Sequence, residues 1–305
     1  MNGFFNINKP SGMSSAAVVA ALRRITGMKR VGHAGTLDPE AAGVLPIMMG
    51  KATRLFDYLT DKEKEYEAVI AFGSSTDTQD ATGRVLETGN NWPDQAVLRK
   101  AADQLIGDII QVPSMYSAIK VQGEPLYKRA RKGETINVPP RTVHIESIEI
   151  TGEAPDHGFH ILVRCGKGTY IRTLCHDMGR LCGCPAHMRS LVRTQSGIFT
   201  IQNALLPEQA AELAERNRLM EYLMPPDCAL AHLPAVNIHP GMAGKVMNGA
   251  KLPVPPEQEN LPENQPVRIY LNSRFWGIAQ RQGEELRWKV LIAPEEDPED
   301  RITCE

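Results

Sequence analysis

Two kinds of hydrophobic pattern follow one another along this chain, and together they predict a mixture of helices and strands. Apolar residues three or four positions apart are typical of amphipathic helices. These helices are predicted at 14–26, 94–106, 169–183 and 207–223. Alternating apolar and polar residues are typical of strands with one buried face. These strands are predicted at 65–73, 142–151, 157–165, 267–271 and 286–292.

The pattern changes near Pro225-Pro226, and this change predicts two domains. Before it, helices and strands are mixed, which is typical of an α+β fold. From about residue 231 to 293, short alternating strands separated by turns indicate a small barrel or sandwich. The acidic segment 294–305 reads as a solvated tail. The length of 305 residues accommodates two domains of ordinary size.

Composition excludes several broad classes of protein. The chain is 42% hydrophobic and 23% charged, close to an ordinary globular protein. No apolar run approaches the ~18–20 residues of a membrane span, and residues 1–6 lack the features of a signal peptide. Six cysteines without a CxxC pair indicate neither a disulfide scaffold nor a zinc ribbon. We therefore expect a cytoplasmic protein.

Charge is distributed unevenly although the net charge is only −2. Residues 1–54 contain seven basic and two acidic side chains, whereas residues 284–305 contain eight acidic and three basic ones. A basic face would suit a nucleic acid. A solvated surface explains the same counts equally well, so charge alone does not decide the partner.

Several catalytic motifs are absent. Gly50-Lys51 lacks both the earlier glycine and the following Ser or Thr of a phosphate-binding loop. There is no GxGxxG, GxSxG or HExxH, and the eight histidines have no metal-ligand spacing. The sequence therefore predicts neither a cofactor nor a metal.

The segment around Asp38 is the candidate for chemistry. Gly32-His33-Ala34-Gly35-Thr36-Leu37-Asp38-Pro39 has small residues that let the backbone approach a ligand closely. A structural alternative is a helix that begins here, with Asp38 as its N-cap and Pro39 as its first residue. The two roles are compatible, because a capping carboxylate can still face a cleft.

This segment, followed by Ala42-Gly43-Val44-Leu45-Pro46, resembles the catalytic-aspartate motif of the TruB family of tRNA pseudouridine synthases. Further matches follow in the family's order over roughly residues 3–200, so the resemblance covers most of the chain. They are Asn8-Lys9-Pro10-Ser11-Gly12-Met13-Ser14-Ser15, Lys64-Glu65-Tyr66, Thr76-Asp77-Thr78-Gln79-Asp80-Ala81-Thr82-Gly83, Tyr116-Ser117-Ala118-Ile119-Lys120, Lys167-Gly168-Thr169-Tyr170-Ile171-Arg172-Thr173-Leu174 and Leu191-Val192-Arg193-Thr194.

The resemblance implies a pseudouridine synthase fold with a central mixed or antiparallel sheet in residues 1–230, including a thumb-like insertion at about 118–140. It also implies a PUA-like RNA-binding β-barrel at 231–293. By the same resemblance, Asp38 is the catalytic carboxylate, acting as nucleophile at C1′ or as base on the 2′-hydrogen. Arg172 pairs with it, and Tyr66 stacks on the target uracil and helps remove its C5 proton.

The resemblance also implies residues that bind the substrate. His33 would fill the stack that a flipped uridine leaves, and Tyr170 and Leu191 would wall the uracil pocket. Lys120 and Arg193 would meet phosphates. Lys9 and Gly32 complete the predicted substrate-binding set.

Each of these residues has an ordinary structural alternative. Arg172 would be a solvated helix residue, Tyr66 a half-buried strand residue, and Tyr170 and Leu191 core residues. For the whole chain, the resemblance favours a monomer that modifies uridine 55 in the T-arm of tRNA without a guide RNA or a membrane. The alternatives are a guide-RNA-dependent pseudouridylase and an RNA-binding or RNA-folding protein without turnover.

Overall fold

The computed structural model describes residues 1–59, 63–117, 120–121, 124–132, 134 and 136–293. The predicted acidic tail and parts of the predicted insertion lie outside these ranges. The strands are β1 (Gly3–Lys9), β2 (Val31–His33), β3 (Ala42–Met49), β4 (Lys64–Phe72), β5 (Ser74–Thr76), β6 (Val85–Thr88), β7 (Gly107–Gln111), β8 (Lys120–Val121), β9 (Glu124–Pro125), β10 (Arg141–Ala154), β11 (Gly158–Cys165), β12 (Ala186–Ser196), β13 (Phe199–Thr200), β14 (Ala235–Ile238), β15 (Leu252–Pro253), β16 (Pro266–Leu271), β17 (Arg274–Gln282) and β18 (Glu285–Leu291).

Helices are fewer and mostly short. The α-helices are α1 (Ser15–Thr26), α2 (Gln95–Asp103), α3 (Leu126–Arg131), α4 (Ile171–Leu181), α5 (Pro207–Glu215) and α6 (Ala243–Met247). The 3-10 helices are Gly50–Tyr58, Ile201–Asn203, Leu219–Tyr222, Cys228–Leu230, Pro240–Met242 and Pro256–Gln258. No helix in the described ranges combines the length and apolarity that crossing a lipid bilayer requires.

The predicted helices and strands form, with changes at their ends. Helix α1 begins after Ser14, whose side chain accepts a hydrogen bond from the Ala17 N–H, as the predicted cap requires. The helix predicted at 207–223 stops at Glu215, because Asn217 adopts a left-handed φ of 55°. A short 3-10 turn, Leu219–Tyr222, replaces its second half.

The larger sheet contains nine strands among the described residues, mixed but mostly antiparallel. Its path is β1-β3-β12-β4-β11-β10-β7, with β2 added to β3 and β13 added to β12. The parallel neighbours in it are β3 and β12, which join residues about 150 positions apart in sequence through the pairs Val192–Ala42 and Arg193–Gly43. This is the α+β sheet that the sequence predicts.

Strands β1 and β3 were not predicted, and their burial explains why. In β3, Val44 and Met48 face a core shared with the second sheet, whereas Leu45, Ile47 and Met49 face helix α1. A strand buried on both faces reads as a continuous apolar run, which shows no alternation.

The smaller sheet has the order β14-β16-β17-β18-β15, and its strands lie within residues 235–291. It forms the predicted small barrel as a curled, open sheet. The predicted turn Asn272-Ser273 joins β16 to β17, and both residues have positive φ, 50° and 60°. Phe275, Ile278 and Val290 of this sheet pack in one cluster with Phe4 and Val44 of the larger sheet.

Gly43 is required by the parallel contact between β3 and β12. Its φ is 107°, and a Cβ atom placed there would lie 2.2 Å from the carbonyl oxygen of Arg193. Neither the dihedral nor the space admits a side chain.

We therefore expect Gly43→Ala to lower the free energy of unfolding by at least about 2 kcal/mol. Gly152→Ala is the matched control, since a Cβ atom on that strand glycine meets nothing within 4 Å. Urea unfolding of both variants measures the difference. Equal destabilisation by the two substitutions would contradict the requirement for glycine at position 43.

Candidate active site

Asp38 lies in the loop between β2 and β3, and the loop is not a helix start. The Ala41 N–H donates to the Asp38 carbonyl across a turn at 3.1 Å, and β3 begins at Ala42. The alternative of Asp38 as a helix N-cap is therefore wrong. The sharp turn leaves the carboxylate at the end of the loop, with 40% of the side chain exposed.

The N-terminal segment fixes this loop through short hydrogen bonds. The Ser15 hydroxyl donates to the Leu37 carbonyl at 3.0 Å and accepts from the Leu37 N–H at 2.9 Å. The Gly12 N–H donates to the Pro39 carbonyl at 2.9 Å. Both residues that flank Asp38 are thus tied to residues 12–15.

Lys9 adds a third attachment from a fully buried position. Its Nζ donates to the carbonyl oxygens of Pro10, Met13 and Pro39 at 3.0, 2.6 and 2.9 Å. All three protons are used in these bonds, so the geometry contradicts our prediction that Lys9 binds the substrate. The residue holds the loop instead. Burial lowers the pKa of its ammonium group to about 8, against the attraction of Glu40 and Asp38.

Arg172 approaches Asp38 from the first turn of α4. Its Nε lies 3.0 Å from Oδ2 of Asp38, and its Nη2 lies 3.4 Å from Oδ1. The guanidinium is buried, with 6% of the side chain exposed, so the predicted pairing is present as a two-point contact. One side of the carboxylate is held while the other remains open.

The remaining donors of Arg172 are also engaged. Nη1 contacts Oδ2 of Asp80 at 3.3 Å and the Thr78 carbonyl at 3.2 Å, and Nη2 donates to the Tyr116 carbonyl at 3.3 Å. The guanidinium therefore has one fixed orientation.

Asp80 is a site residue that our sequence reasoning missed. It is placed by hydrogen bonds to one of its carboxylate oxygens from the hydroxyls of Thr78 and Thr82, at 2.7 and 2.6 Å. Residues 78–82 have a Thr-x-Asp-x-Thr pattern, which indicates a compact Asx turn because hydroxyls stand on both sides of an acid. What the sequence lacked was any indication that this turn meets α4.

The site holds two carboxylates and one guanidinium, and this imbalance affects Asp38. Burial raises the pKa of Asp38 and the charge of Asp80 raises it further, whereas Arg172 and Lys9 lower it. The net direction is upward from the ordinary value of 3.8. Arg172 is thus the principal group that keeps Asp38 ionised.

Tyr66 belongs to the same site. It is buried on β4, between Val163 of β11 and Arg193 of β12, and it packs in one cluster with Leu37 and Leu191. Burial raises the pKa of its hydroxyl, and the adjacent Arg193 guanidinium acts in the opposite direction. The phenol is therefore neutral at pH 7.

Tyr170 stands immediately before α4, where its backbone is clamped by Gln111. The Tyr170 N–H donates to Oε1 of Gln111 at 3.0 Å, and Nε2 donates back to the Tyr170 carbonyl at 3.3 Å. The Arg141 guanidinium lies 5.7 Å from the centre of the Tyr170 ring. Burial raises the pKa of the Tyr170 hydroxyl, and the charge of Arg141 acts in the opposite direction.

His33 ends β2, after Gly32, and it is half-buried. Its Nδ1 is buried without a hydrogen-bond partner among the described residues. Burial and the nearby charge of Arg193 lower the pKa of the imidazole, so His33 is neutral at pH 7. A neutral ring with an unused polar atom is suited to contact a ligand.

Arg193 does not face solvent as a phosphate contact would. It is 1% exposed, its Nε donates to the Val44 carbonyl at 2.7 Å, and its Nη2 donates to the Gly35 carbonyl at 3.2 Å. The geometry contradicts the predicted phosphate contact and makes Arg193 a support for the loop that carries His33 and Asp38. Lys120 lies in β8, and its side chain is outside the described part of the chain, so its role stays a prediction.

Three cavities share lining residues, and one of them is bordered by Ala34 and Gly35 of the Asp38 loop. Cavity A (550 Å³) contains Arg23, Lys29, Arg30 and Gly32 in its walls, and cavity B (240 Å³) contains Lys64 and Lys167. Cavity C (420 Å³) contains Arg141 and Lys167. Phe56 lines both A and B, and Lys167 lines both B and C.

The charged side chains that line these cavities are all basic, and no Asp or Glu among the described residues lines any of them. The chain as a whole has a net charge of −2. The three cavities therefore form a locally positive path that passes the Asp38 loop, which suits a polyanion. In the same ranges, no three His, Cys, Asp or Glu side chains are grouped as metal ligands.

Three family models match consecutive parts of the chain. They are "TruB family pseudouridylate synthase (N terminal domain)" over residues 23–171, "tRNA pseudouridylate synthase B C-terminal domain" over 172–231 and "Pseudouridine synthase II TruB, C-terminal" over 234–292.

Curated proteins and solved structures give consistent similarities. The tRNA pseudouridine synthase B of Bacillus pumilus is 42% identical over 279 residues, covering 90% of each chain. The protein of the same name from Azoarcus sp. is 38% identical over 295 residues, covering 96% of this chain and 95% of the other. A chain in the crystal structure of a Cbf5-Nop10-Gar1 complex superposes with a TM-score of 0.74 at 25% identity, covering 96% of this chain and 85% of that one.

The lowered pKa of the buried Lys9 predicts a pH dependence of the free energy of unfolding. Because its pKa is lowered from 10.5 to about 8 in the folded state, the unfolded chain binds more protons between these pH values. The contribution of Lys9 to the free energy of unfolding therefore rises as the pH rises from 8 to 10.5. We expect the stability difference, wild type minus Lys9→Met, to increase over this range.

Urea unfolding of both proteins at several pH values measures this difference, and the subtraction cancels other groups that titrate there. Stability curves that stay parallel between pH 8 and 10.5 would contradict the burial of a charged Lys9.

Proposed function

Because this chain belongs to the TruB family of pseudouridylate synthases, we propose that it acts alone on tRNA and converts uridine 55 of the T-arm to pseudouridine. The observation that carries the mechanism is the Asp38–Arg172 ion pair, in which one side of the carboxylate is held and the other is open. Relatives that are 38–42% identical and named tRNA pseudouridine synthase B support the substrate class.

The reaction is an isomerisation, so every atom of the uridine is retained. The bond between N1 of uracil and C1′ of the ribose breaks, the base turns, and a bond from C5 to C1′ forms. C5 then loses its proton and N1 gains one. No electrons leave the substrate, and the protein has to supply a carboxylate, an orientation and a route for protons.

Asp38 is the proposed carboxylate. Attack at C1′ and removal of the 2′-hydrogen both require its ionised form, which the Arg172 guanidinium favours. The two-point contact also fixes the direction of the carboxylate, and holding a reacting group in the right geometry lowers the barrier of a reaction. Arg172 holds Asp38, and Asp80 holds Arg172.

Tyr66 is the proposed stacking partner of the uracil, with Tyr170 and Leu191 as the walls of its pocket. Tyr66 and Leu191 belong to the same buried cluster as Leu37, the residue before Asp38. To take the C5 proton, the Tyr66 hydroxyl must first lose its own proton, and the adjacent Arg193 guanidinium favours the resulting phenolate whereas burial opposes it.

Access to the uridine requires that the base leave its stack, at a cost of a few kcal/mol. His33 is suited to offset part of this cost, because its imidazole is neutral and its Nδ1 is without a partner in the described residues. Gly32, which lines cavity A beside His33, lets the RNA backbone approach. The basic path through cavities A, B and C is the proposed contact surface for the phosphates.

Action without a guide RNA is favoured over the guide-dependent alternative by the sequence relatives. Bacterial tRNA pseudouridine synthase B proteins match at about 40% identity, whereas the Cbf5 chain matches at 25%. A monomeric state, a cytoplasmic location and the division into domains at residues 230 and 231 stay predictions.

We expect Asp38→Asn to bind tRNA and form no pseudouridine, since an amide is neither a nucleophile nor a base at C1′ or C2′. Single-protein turnover on an unmodified tRNA transcript without guide RNA, followed by mapping of pseudouridine, measures this. Wild-type product at position 55 alone is the positive control. Pseudouridine made by pure Asp38→Asn would exclude Asp38 as the catalytic group.

Tyr66→Phe tests the hydroxyl separately from the ring. Stacking and the fold should remain, because the substitution keeps the aromatic surface, whereas turnover at saturating tRNA should fall at least tenfold, since proton transfer contributes about 10²–10⁴-fold where a side chain supplies it. Thermal unfolding serves as the control for structure. Wild-type turnover in this variant would rule out an essential role for the hydroxyl.

A further inference from the structure

Cavity B contains a lysine to which the proposed function assigns no particular phosphate. Lys64 begins β4, and Tyr66 is two residues further along the same strand. Residues i and i+2 of a strand point to the same face and are about 7 Å apart. Lys64 therefore continues the row of side chains that carries Tyr66, from the catalytic site into cavity B.

On its own face of the sheet the neighbours of Lys64 are cationic or neutral, whereas Glu65 lies on the opposite face and pairs with Arg164. It is paired with Cys165 on β11 and with Ser196 on β12, and Lys167 lines the same cavity. Burial raises the pKa of the Cys165 thiol to about 11, so at pH 7 this group carries no negative charge. Within the described residues, Lys64 Nζ has no hydrogen-bond or ion-pair partner.

This arrangement is unfavourable for an ammonium group on its own. Burial lowers the pKa of Lys64, and the charges of Arg193 and Lys167 lower it further. An anion in the cavity would offset both the cost of burying the ammonium group and the repulsion from the two cations. A neutral ligand such as a nucleobase would leave both repulsions in place. Gly35 and Phe56 leave a space of 240 Å³ between the Asp38 loop and the 3-10 helix, large enough for a phosphate group.

We propose that Lys64 binds a phosphodiester of the RNA strand immediately next to the target nucleotide. This inference rests on the proposed function, because it takes the uracil to lie against Tyr66. The contact extends substrate binding into cavity B, and it fixes the strand on one side of the nucleotide that Asp38 attacks.

The first experiment measures tRNA affinity as a function of salt concentration. Each phosphate contact contributes about 0.7–0.9 to the slope of log K against log salt. We expect Lys64→Gln to lower this slope by that amount and to weaken binding about tenfold. Lys100→Gln is the matched control, since Lys100 is an exposed lysine of α2 outside the three cavities. An unchanged slope for Lys64→Gln would overturn the proposal.

A second experiment identifies the phosphate and separates the contact from a general structural effect. Single methylphosphonate linkages neutralise one phosphate at a time on either side of the target uridine. Wild-type protein should lose affinity at one linkage, and Lys64→Gln should lose nothing further there. Lys64→Arg should restore the salt slope. Additive losses at every linkage would overturn the proposal.

A third measurement uses only the wild-type protein, so it does not depend on the folding of a variant. Acetylation of lysine amines, followed by mass spectrometry, should show Lys64 protected by tRNA and Lys100 not protected. The protection should be lost with the critical methylphosphonate RNA. Equal labelling of Lys64 with and without tRNA would overturn the proposal.

Turnover of the wild-type protein distinguishes a failure of the proposed function from a failure of the Lys64 contact alone. If tRNA is bound but no pseudouridine forms, the proposed function fails whatever Lys64 does. If pseudouridine forms and the Lys64 measurements show no phosphate contact, only the present inference fails.

Discussion

The contact between Arg172 and Asp38 is the interaction on which the site depends. A buried guanidinium is stable only if its donors are satisfied, and here Asp38, Asp80 and two backbone carbonyls satisfy them. These partners come from three separate segments of the chain. The ion pair thus both orients the carboxylate and fixes where the segments that surround it must lie.

Much of the fold could be predicted from the sequence wherever one face of an element is exposed. Strand β4 shows clean alternation because its residues switch between core and partly solvated positions. Helix α1 was marked by Ser14 and its apolar stripe. By contrast, β1 and β3 are covered on both faces, so their composition carries no period and only the three-dimensional arrangement reveals them.

The side chains proposed to react could be predicted better than the residues that hold them in place. Asp38, Arg172 and Tyr66 were identified through a family resemblance, and the structure brings them together. Lys9 and Arg193 were predicted through the same resemblance to bind the substrate, yet both are buried and bonded to backbone carbonyls. A sequence gives the charge of a side chain but not its surroundings. Asp80 was missed for the same reason, since its contact with α4 spans 92 residues.

The parallel pairing of β3 with β12 also determines the order in which the molecule can be assembled. Strand β3 pairs with β1 and β2 earlier in the chain, but the end of β3 that follows Asp38 pairs with a strand about 150 residues later, so this end stays uncovered until β12 has been synthesised. Pairing of strands so far apart in sequence is typical of slow folding. The loop that carries His33 and Asp38 therefore lacks the support of Arg193 until β12 has been synthesised, and its geometry is set only then.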